Sequence, residues 1–256
     1  MFDADVYFSG LAAAMGMAIA AWLVSVPLRD VSVVDSIWPL FFLLMGVAYQ
    51  TQAPGMAGRS VLALFLVTLW AARLCAFVTL RNRDRSEDRR YQALRRAHSP
   101  GFGVASLYVV FGLQAVLAWI VSLSLHAAIL GTAPLNWLDL AGAALCLGGI
   151  LCETIADQQL ARFRSHPANR DHVLDRGLWR YTRHPNYFGE ACVWWGIYLL
   201  ALGAGAWWAL PSPMLVQFLL LRLGGIALVE RDIALRRPAY PDYARRTNAL
   251  WPGPPR

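Results

Sequence analysis

Seven apolar runs dominate the sequence, and each is long enough to form a helix that crosses a bilayer. They lie at about 6–26, 33–50, 60–80, 104–130, 136–156, 186–204 and 212–230. No internal repeat and no long linker separates them. The pattern predicts an all-α, polytopic membrane protein with seven transmembrane helices, folded as a single domain over residues 1–256.

The positions of the arginines predict which way each helix crosses the membrane. Seven arginines lie in 81–96, six in 162–183 and six in 231–256, and Arg29 lies in the first loop. The alternate loops contain only Arg59. Because positively charged loops remain in the cytoplasm, the pattern predicts an outside N-terminus and a cytoplasmic C-terminus. A charged ligand should therefore bind from the cytoplasmic side.

The amino-acid composition supports a membrane protein and argues against several other kinds of site and partner. The chain is 57% hydrophobic and 15% charged, with a mean hydropathy of +0.43. All 23 basic residues are arginines, which excludes chemistry that needs a lysine. The net charge of +7 is explained by cytoplasmic loops, so no nucleic acid is expected, and no obligate protein partner is evident. The four cysteines lie in apolar runs without metal-ligand spacing, so we expect no metal site.

The stretch from Gly177 to Trp195 combines a basic loop with the start of a helix. Pro185 suits the first turn of a helix, where free N–H groups attract anions. The loop before it contains Arg180, Arg183 and His184. The helix after it repeats a polar or aromatic residue every fourth position, at Asn186, Glu190 and Trp194. This arrangement predicts a site for a phosphate-bearing cofactor.

Two further spans carry charged residues on one face. Glu153, Asp157 and Arg164 share a face at the end of the fifth span, where carboxylates can bind hydroxyls and arginine can bind phosphate. The alternative is a salt-bridge network with the basic loop. In the seventh span, Arg222 and Glu230 lie on one face, with two glycines at positions 224–225 between them.

The first half of the chain offers fewer candidates. Asp35 is either a helix-entry residue or a site residue, and Arg73 either pairs with an acid or takes part in the site. Most arginines of 81–98 are expected at the lipid headgroups. The better candidates for ligand contact in this loop are Asp88, Arg89, Arg90 and Tyr91, and the C-terminal loop repeats the theme with Tyr240 and Tyr243.

Four motifs together resemble a known family: GLWRYTRHPNYFGE, ETIADQQLARFR, EDRRYQALR and ERDIALRRPAYPDYARRTNALWP. They are similar to the steroid 5-alpha-reductase superfamily, and more closely to its bacterial DUF1295 branch. The resemblance implies a seven-helix enzyme of the bacterial inner membrane. Such an enzyme binds NADPH from the cytoplasm, here through residues of about 153–252, and transfers hydride to an enone or other activated C=C of a sterol-like lipid.

The resemblance also assigns residues. The cofactor-contact positions of the motif correspond to Asp157, Arg164, Tyr181, Asn186, Glu190 and Trp194. A looser correspondence covers Arg222, Glu230 and the Tyr240–Tyr243 segment. The steroid reductases polarise their substrate ketone with a Gln-Glu pair in the second span and a Tyr in the third. The aligned segments here, VVDSIWP and LWAARL, contain neither.

From the sequence and the resemblance we expect one of three alternative functions. The first is an NADPH-dependent reductase of a steroid or isoprenoid lipid, with Asp35 as the acid, Arg73 as its orienting partner and Tyr91 as the next candidate. The second is an S-adenosylmethionine-dependent methyltransferase, because RHPNYFGE also resembles the isoprenylcysteine carboxyl methyltransferases. The third is a non-enzymatic lipid-binding or transport protein.

Overall fold

A computed structural model describes residues 2–83, 86–223 and 226–255. Every regular element in these ranges is helical, which confirms the predicted all-α class. The first helices are α1 (Ala4–Leu28), α2 (Val33–Gln50), α3 (Gly58–Asn82), α4 (Arg89–Ala97), α5 (Phe102–Ser106), α6 (Leu113–Val121) and α7 (Leu123–Leu130). The later helices are α8 (Trp137–Ser165), α9 (Pro185–Gly203), α10 (Pro211–Phe218), α11 (Ile226–Arg236) and α12 (Tyr240–Arg246).

Five helical segments of the described chain are long and apolar enough to cross a membrane: α1, α2, α3, Phe102–Val121 and α8. They indicate a multi-pass membrane protein. Of the two other predicted spans, 186–204 forms α9, a helix of 19 residues. The span at 212–230 includes positions 224 and 225, which lie outside the described residues. The prediction of seven spans and their orientation stays a prediction.

The predicted span at 104–130 contains breaks that its hydrophobicity does not show. Residues Leu107–Gly112 form a π-helical segment between α5 and α6. A second irregularity falls at Ser122, whose hydroxyl donates to the Trp119 carbonyl at 2.7 Å and lies 2.7 Å from the Tyr49 hydroxyl. The hydroxyl of Ser122 thus bonds back to its own helix at the break before α7.

The chain divides into two compact units, one of residues 1–139 and 200–211 and the other of residues 140–199 and 212–256. The prediction of a single domain stays a prediction. In the first unit α2 packs against α1 and α3, with Phe41, Phe42 and Met45 fully buried. The start of α2 lies beside the segment that leads into α4, where the Asp88 amide donates to the Ser32 hydroxyl at 2.8 Å.

Arg59 is a buried side chain of the first unit with several hydrogen-bond partners. It is 1% exposed, and it donates to both carboxylate oxygens of Asp139 at 2.7 and 2.8 Å. It also donates to the carbonyls of Ala133, Pro134 and Gly203. A buried charge is tolerated only with such partners. Arg59 therefore ties the start of α3 to the start of α8.

In the second unit α8 and α9 approach until their backbones touch. A Cβ on Gly189 would lie 2.6 Å from the Gly149 carbonyl oxygen, and a Cβ on Gly149 would lie 2.5 Å from that of Gly189. Gly196 makes the same kind of approach to the Gly142 carbonyl at 2.6 Å. Small residues at a helix crossing permit this approach. The crossing holds the polar residues of α8 and α9 beside one another.

Candidate functional site

Asp35 and Tyr91 form the main polar contact among the candidates of the first unit. The Tyr91 hydroxyl donates to Asp35 Oδ1 at 2.6 Å, and Arg90 Nη2 donates to Asp35 Oδ2 at 3.0 Å. Asp88 begins α4 by accepting the Arg90 amide at 2.9 Å. The structure thus brings Asp35 together with two other predicted site residues, Arg90 and Tyr91, which lie in a different segment of the sequence.

Burial gives the Tyr91 phenol a definite protonation state. Tyr91 is 6% exposed. Burial first, and then the charge of Asp35 and the hydrogen bond to it, raise the pKa of Tyr91 above its ordinary value. At neutral pH the phenol therefore keeps its proton and acts as a donor.

A second ion pair holds α4 in place. Arg95 donates through Nε and Nη2 to the two carboxylate oxygens of Glu87 at 2.9 and 2.6 Å, and through Nη2 to the Arg29 carbonyl at 3.1 Å. Glu87 also accepts the Val31 amide at 3.0 Å. The pair joins α4 to the turn between α1 and α2, so it positions Tyr91 beside Asp35. Sequence reasoning had assigned most arginines of this loop to the lipid surface.

The other candidate residues of the first unit differ in their exposure to solvent. Arg73 is half-buried within α3. Arg89 is the exposed first residue of α4, and Arg90 is exposed beside it. Their predicted roles at a cofactor or substrate stay predictions.

In the second unit the basic loop closes on α11. Arg183 donates to both carboxylate oxygens of Glu230, at 2.7 and 3.0 Å. His184 Nε2 lies 2.9 Å from Glu230 Oε1. Arg183 Nη1 donates to the carbonyls of Ala244 and Thr247 at 2.8 and 2.6 Å. Arg183 thus connects the loop to α11 and to the end of α12.

Two predicted tyrosines are buried around this contact. Tyr240 and Tyr243 are 4% and 3% exposed, with ring centroids 5.9 Å apart. The Tyr243 hydroxyl donates to the Trp179 carbonyl. These tyrosines therefore pack the loop against α12.

Thr182 is a residue of the site that sequence reasoning missed. It is 1% exposed, and its hydroxyl donates to the carbonyls of Ala249 and Leu250 at 3.1 and 2.9 Å. The Arg183 amide donates to the Asn248 carbonyl at 2.9 Å. These bonds fix the entry to α9, which begins at Pro185 as predicted. A lone threonine between a tyrosine and an arginine gives no sequence signal for such a role.

The polar faces of α8 and α9 meet at Asp157 and Asn186. Asn186 Nδ2 donates to Asp157 Oδ1 at 3.3 Å, and Asp157 and Glu153 are both buried. Among the described residues, no hydrogen-bond donor reaches the buried Asn186 Oδ1. A buried amide oxygen normally accepts a hydrogen bond. This acceptor fits an amide or hydroxyl group of a ligand.

The remaining candidates of the second unit differ in exposure. Trp194 is 1% exposed, and Glu190 is half-buried, both on α9. The residues that reach the surface are Arg164, Arg180, Tyr181 and Arg222. The two glycines at 224–225, which sequence reasoning placed between Arg222 and Glu230, lie outside the described residues.

The apolar helices indicate a multi-pass α-helical membrane protein. The family described as "Protein of unknown function (DUF1295)" matches residues 21–247, and the chain belongs to this family. An uncharacterized protein of Schizosaccharomyces pombe is 24% identical, covering 98% of this chain and 81% of its own length. No solved structure matches the chain.

Proposed function

We propose that this protein is a membrane-embedded, NADPH-dependent reductase of an activated C=C in a steroid or isoprenoid lipid. In this proposal it has seven spans, an outside N-terminus and a cytoplasmic C-terminus. The arginine distribution supports the orientation. The 19 residues of α9 support a sixth span, because a helix of that length extends about 28 Å, close to the thickness of a bilayer core.

The observation that carries the cofactor assignment is the orphaned acceptor of Asn186. It lies in the first turn of α9, and the same side chain donates to Asp157. Asp157 and Asn186 are also two of the positions that resemble the cofactor contacts of the steroid reductases. The Asn186 oxygen suits a carboxamide N–H or a ribose hydroxyl, both of which NADPH offers.

Phosphate contact in this proposal falls to Arg164 and Arg180. Both are exposed, one in the last turn of α8 and one in the loop before α9. A guanidinium can bind phosphate with two parallel hydrogen bonds. Arg183 instead holds Glu230 and two backbone carbonyls, which supports a role in shaping the loop.

Proton supply is assigned to the pair of Tyr91 and Asp35. NADPH, when bound, supplies a hydride. Tyr91 is protonated at neutral pH, and in this proposal its O–H, which donates to Asp35 in this structure, turns to a substrate oxygen where negative charge develops. Before substrate binds, Asp35 holds the phenol in place through the 2.6 Å hydrogen bond, and Arg90 pairs with the carboxylate.

The test is nucleotide binding to Asn186→Leu, which keeps the size of the side chain and removes its polar atoms. We expect NADPH affinity to fall by about tenfold or more, because a buried hydrogen bond is lost. The control is Gln158→Leu, an exposed position on α8, which should bind normally. Equal NADPH affinity in Asn186→Leu and the wild type, with unchanged melting temperatures, would contradict the assignment.

A further inference from the structure

The second unit contains a cavity of about 350 Å³ that neither the Asp157–Asn186 contact nor the Arg183–Glu230 contact uses. It lies between the last two turns of α8 and the loop that follows. Its main lining residues are Arg162, Phe163, His166, Asn169, Leu174 and Arg176. Arg162 and Arg176 belong to none of the positions that resemble cofactor contacts.

The cavity is positively charged. Four arginines and two aspartates lie between residues 162 and 176. One of these aspartates, Asp175, pairs with Arg246 at 2.8 Å. Arg162 and Arg176 both line the cavity and are exposed to solvent. Two guanidinium groups at one opening provide donors that match the oxygens of a phosphate.

Local hydrogen bonds fix the polar wall. His166 Nδ1 lies 2.9 Å from the Arg162 carbonyl, so this nitrogen donates and leaves Nε2 as the second polar atom of the ring. The Asn169 amide donates to the Phe163 carbonyl at 2.9 Å. These bonds hold the loop after α8 against the helix and place His166 and Asn169 in the cavity wall.

The remaining wall depends on Gly177. It has a φ of +63°, and a Cβ there would lie 2.6 Å from both terminal atoms of the Gln159 amide. Glycine adopts this conformation without strain. Phe163 and Leu174 supply an apolar floor, because both belong to a buried cluster with Trp179. The cavity thus combines a cationic opening with an apolar floor.

We propose that this cavity binds a phosphate ester, through Arg162 and Arg176, at a site separate from the NADPH contacts. The ligand chemistry is a phosphate group attached to an apolar or aromatic portion. Its source is either a soluble phosphate ester or the headgroup of an anionic phospholipid. In the proposed topology the cavity faces the cytoplasmic leaflet, where anionic lipids are available.

The experiment uses the full chain with two probes. Pyrophosphate binding is measured by calorimetry in detergent, and retention of phosphatidic acid over phosphatidylcholine is measured by native mass spectrometry from nanodiscs. We expect Arg162→Gln/Arg176→Gln to weaken binding of the responding probe by about tenfold or more, since charge-assisted hydrogen bonds are lost. The matched control, Arg170→Gln, removes an exposed arginine of the same loop that does not line the cavity and should stay within about twofold.

The pattern of responses identifies the source and tests the proposal. Binding of pyrophosphate alone supports a soluble ester, and retention of phosphatidic acid alone supports a headgroup. A wild-type protein that binds neither probe, or a double variant that binds like the wild type, would overturn the proposal. NADPH affinity is measured in parallel and should change by less than about twofold in the double variant. A tenfold loss there would overturn the assignment of a separate site.

Discussion

The Tyr91 hydroxyl donates to Asp35 Oδ1 at 2.6 Å across 56 positions of sequence. The contact joins the first turn of α2 to the first turn of α4. It gives a buried phenol a fixed orientation and a carboxylate partner. In the proposed reductase, Tyr91 transfers the proton to the substrate and Asp35 positions Tyr91.

Tyr91→Phe should therefore lower turnover by about 10²–10⁴-fold while leaving NADPH affinity unchanged, because only the proton donor is removed. The substrate is first found by following NADPH oxidation with a panel of 3-oxo-Δ4 steroids and isoprenoid enones. Tyr108→Phe, at a tyrosine that is 68% exposed, is the control and should turn over normally. Normal turnover by Tyr91→Phe would remove Tyr91 as the donor.

Asp35→Asn should lower turnover less than Tyr91→Phe does, because the phenol remains while its orienting acceptor is weakened. The dependence of turnover on pH, measured for both variants, distinguishes the proton donor from the residue that positions it. If Asp35 itself delivered the proton, Asp35→Asn would be the more damaging change of the two, and our assignment would be reversed.

The Glu87–Arg95 pair predicts a pH-dependent stability. Burial acts to raise the pKa of Glu87, but hydrogen bonds from Arg95 and the Val31 amide outweigh it and hold the pKa below the ordinary value of 4.5. A carboxyl with a lowered folded pKa stabilises the fold above its unfolded pKa, and this stabilisation is lost as the pH falls through the folded pKa. The melting temperature should therefore drop below pH 4.5, and Glu87→Gln should flatten that part of the profile. An unchanged profile in Glu87→Gln would contradict the role of the pair.

The close backbone contact of α8 and α9 predicts that glycine is required at position 189. Gly148, a glycine of α8, provides the control. Gly189→Ala would place a Cβ 2.6 Å from the Gly149 carbonyl oxygen, so the helices must separate. We expect a destabilisation of about 1–3 kcal/mol, typical of overpacking, measured as a lower melting temperature. Gly148→Ala meets nothing within 4 Å and should be neutral or slightly stabilising. Equal melting temperatures for the two variants would refute the close crossing.

Glu190 tests the polar face of α9. Glu190→Gln removes a charged acceptor without changing shape, so NADPH binding should weaken by about 1.5–3 kcal/mol, as measured by calorimetry. Asp171→Asn, at an exposed acid of the same unit, serves as the control. If NADPH affinity is unchanged while the melting temperature falls, Glu190 has a structural role only.

Helix positions could be predicted from sequence because apolar length decides them. The second predicted span coincides with α2, and the predicted helix start at Pro185 is confirmed. The π-helical segment Leu107–Gly112 was not predictable, since it changes the backbone and leaves the apolar pattern intact. The extension of α8 to Ser165 agrees with the single helical face predicted for Glu153, Asp157 and Arg164, whereas hydropathy alone ends this span at about residue 156.

Side-chain partners were harder to predict because they depend on folding distant segments together. The sequence showed that Asp35 and Arg183 were unusual, but not that their partners are Tyr91 and Glu230. Spacing places residues on one helical face, and it says nothing about which neighbouring element meets that face. Arg183 illustrates the limit: a basic residue before a helix start suggests a bound phosphate, whereas its contacts here are a carboxylate of the same chain and two carbonyls.

The most direct test of the proposed function is the melting temperature of the purified full chain in detergent with NADPH or S-adenosylmethionine. A ligand at a hundredfold excess over its Kd should stabilise the folded protein by about 2.7 kcal/mol. The account predicts a clear rise with NADPH, no rise with S-adenosylmethionine, and a reduced rise with NADPH in Asn186→Leu. A rise with S-adenosylmethionine and none with NADPH would contradict the reductase and favour a methyltransferase.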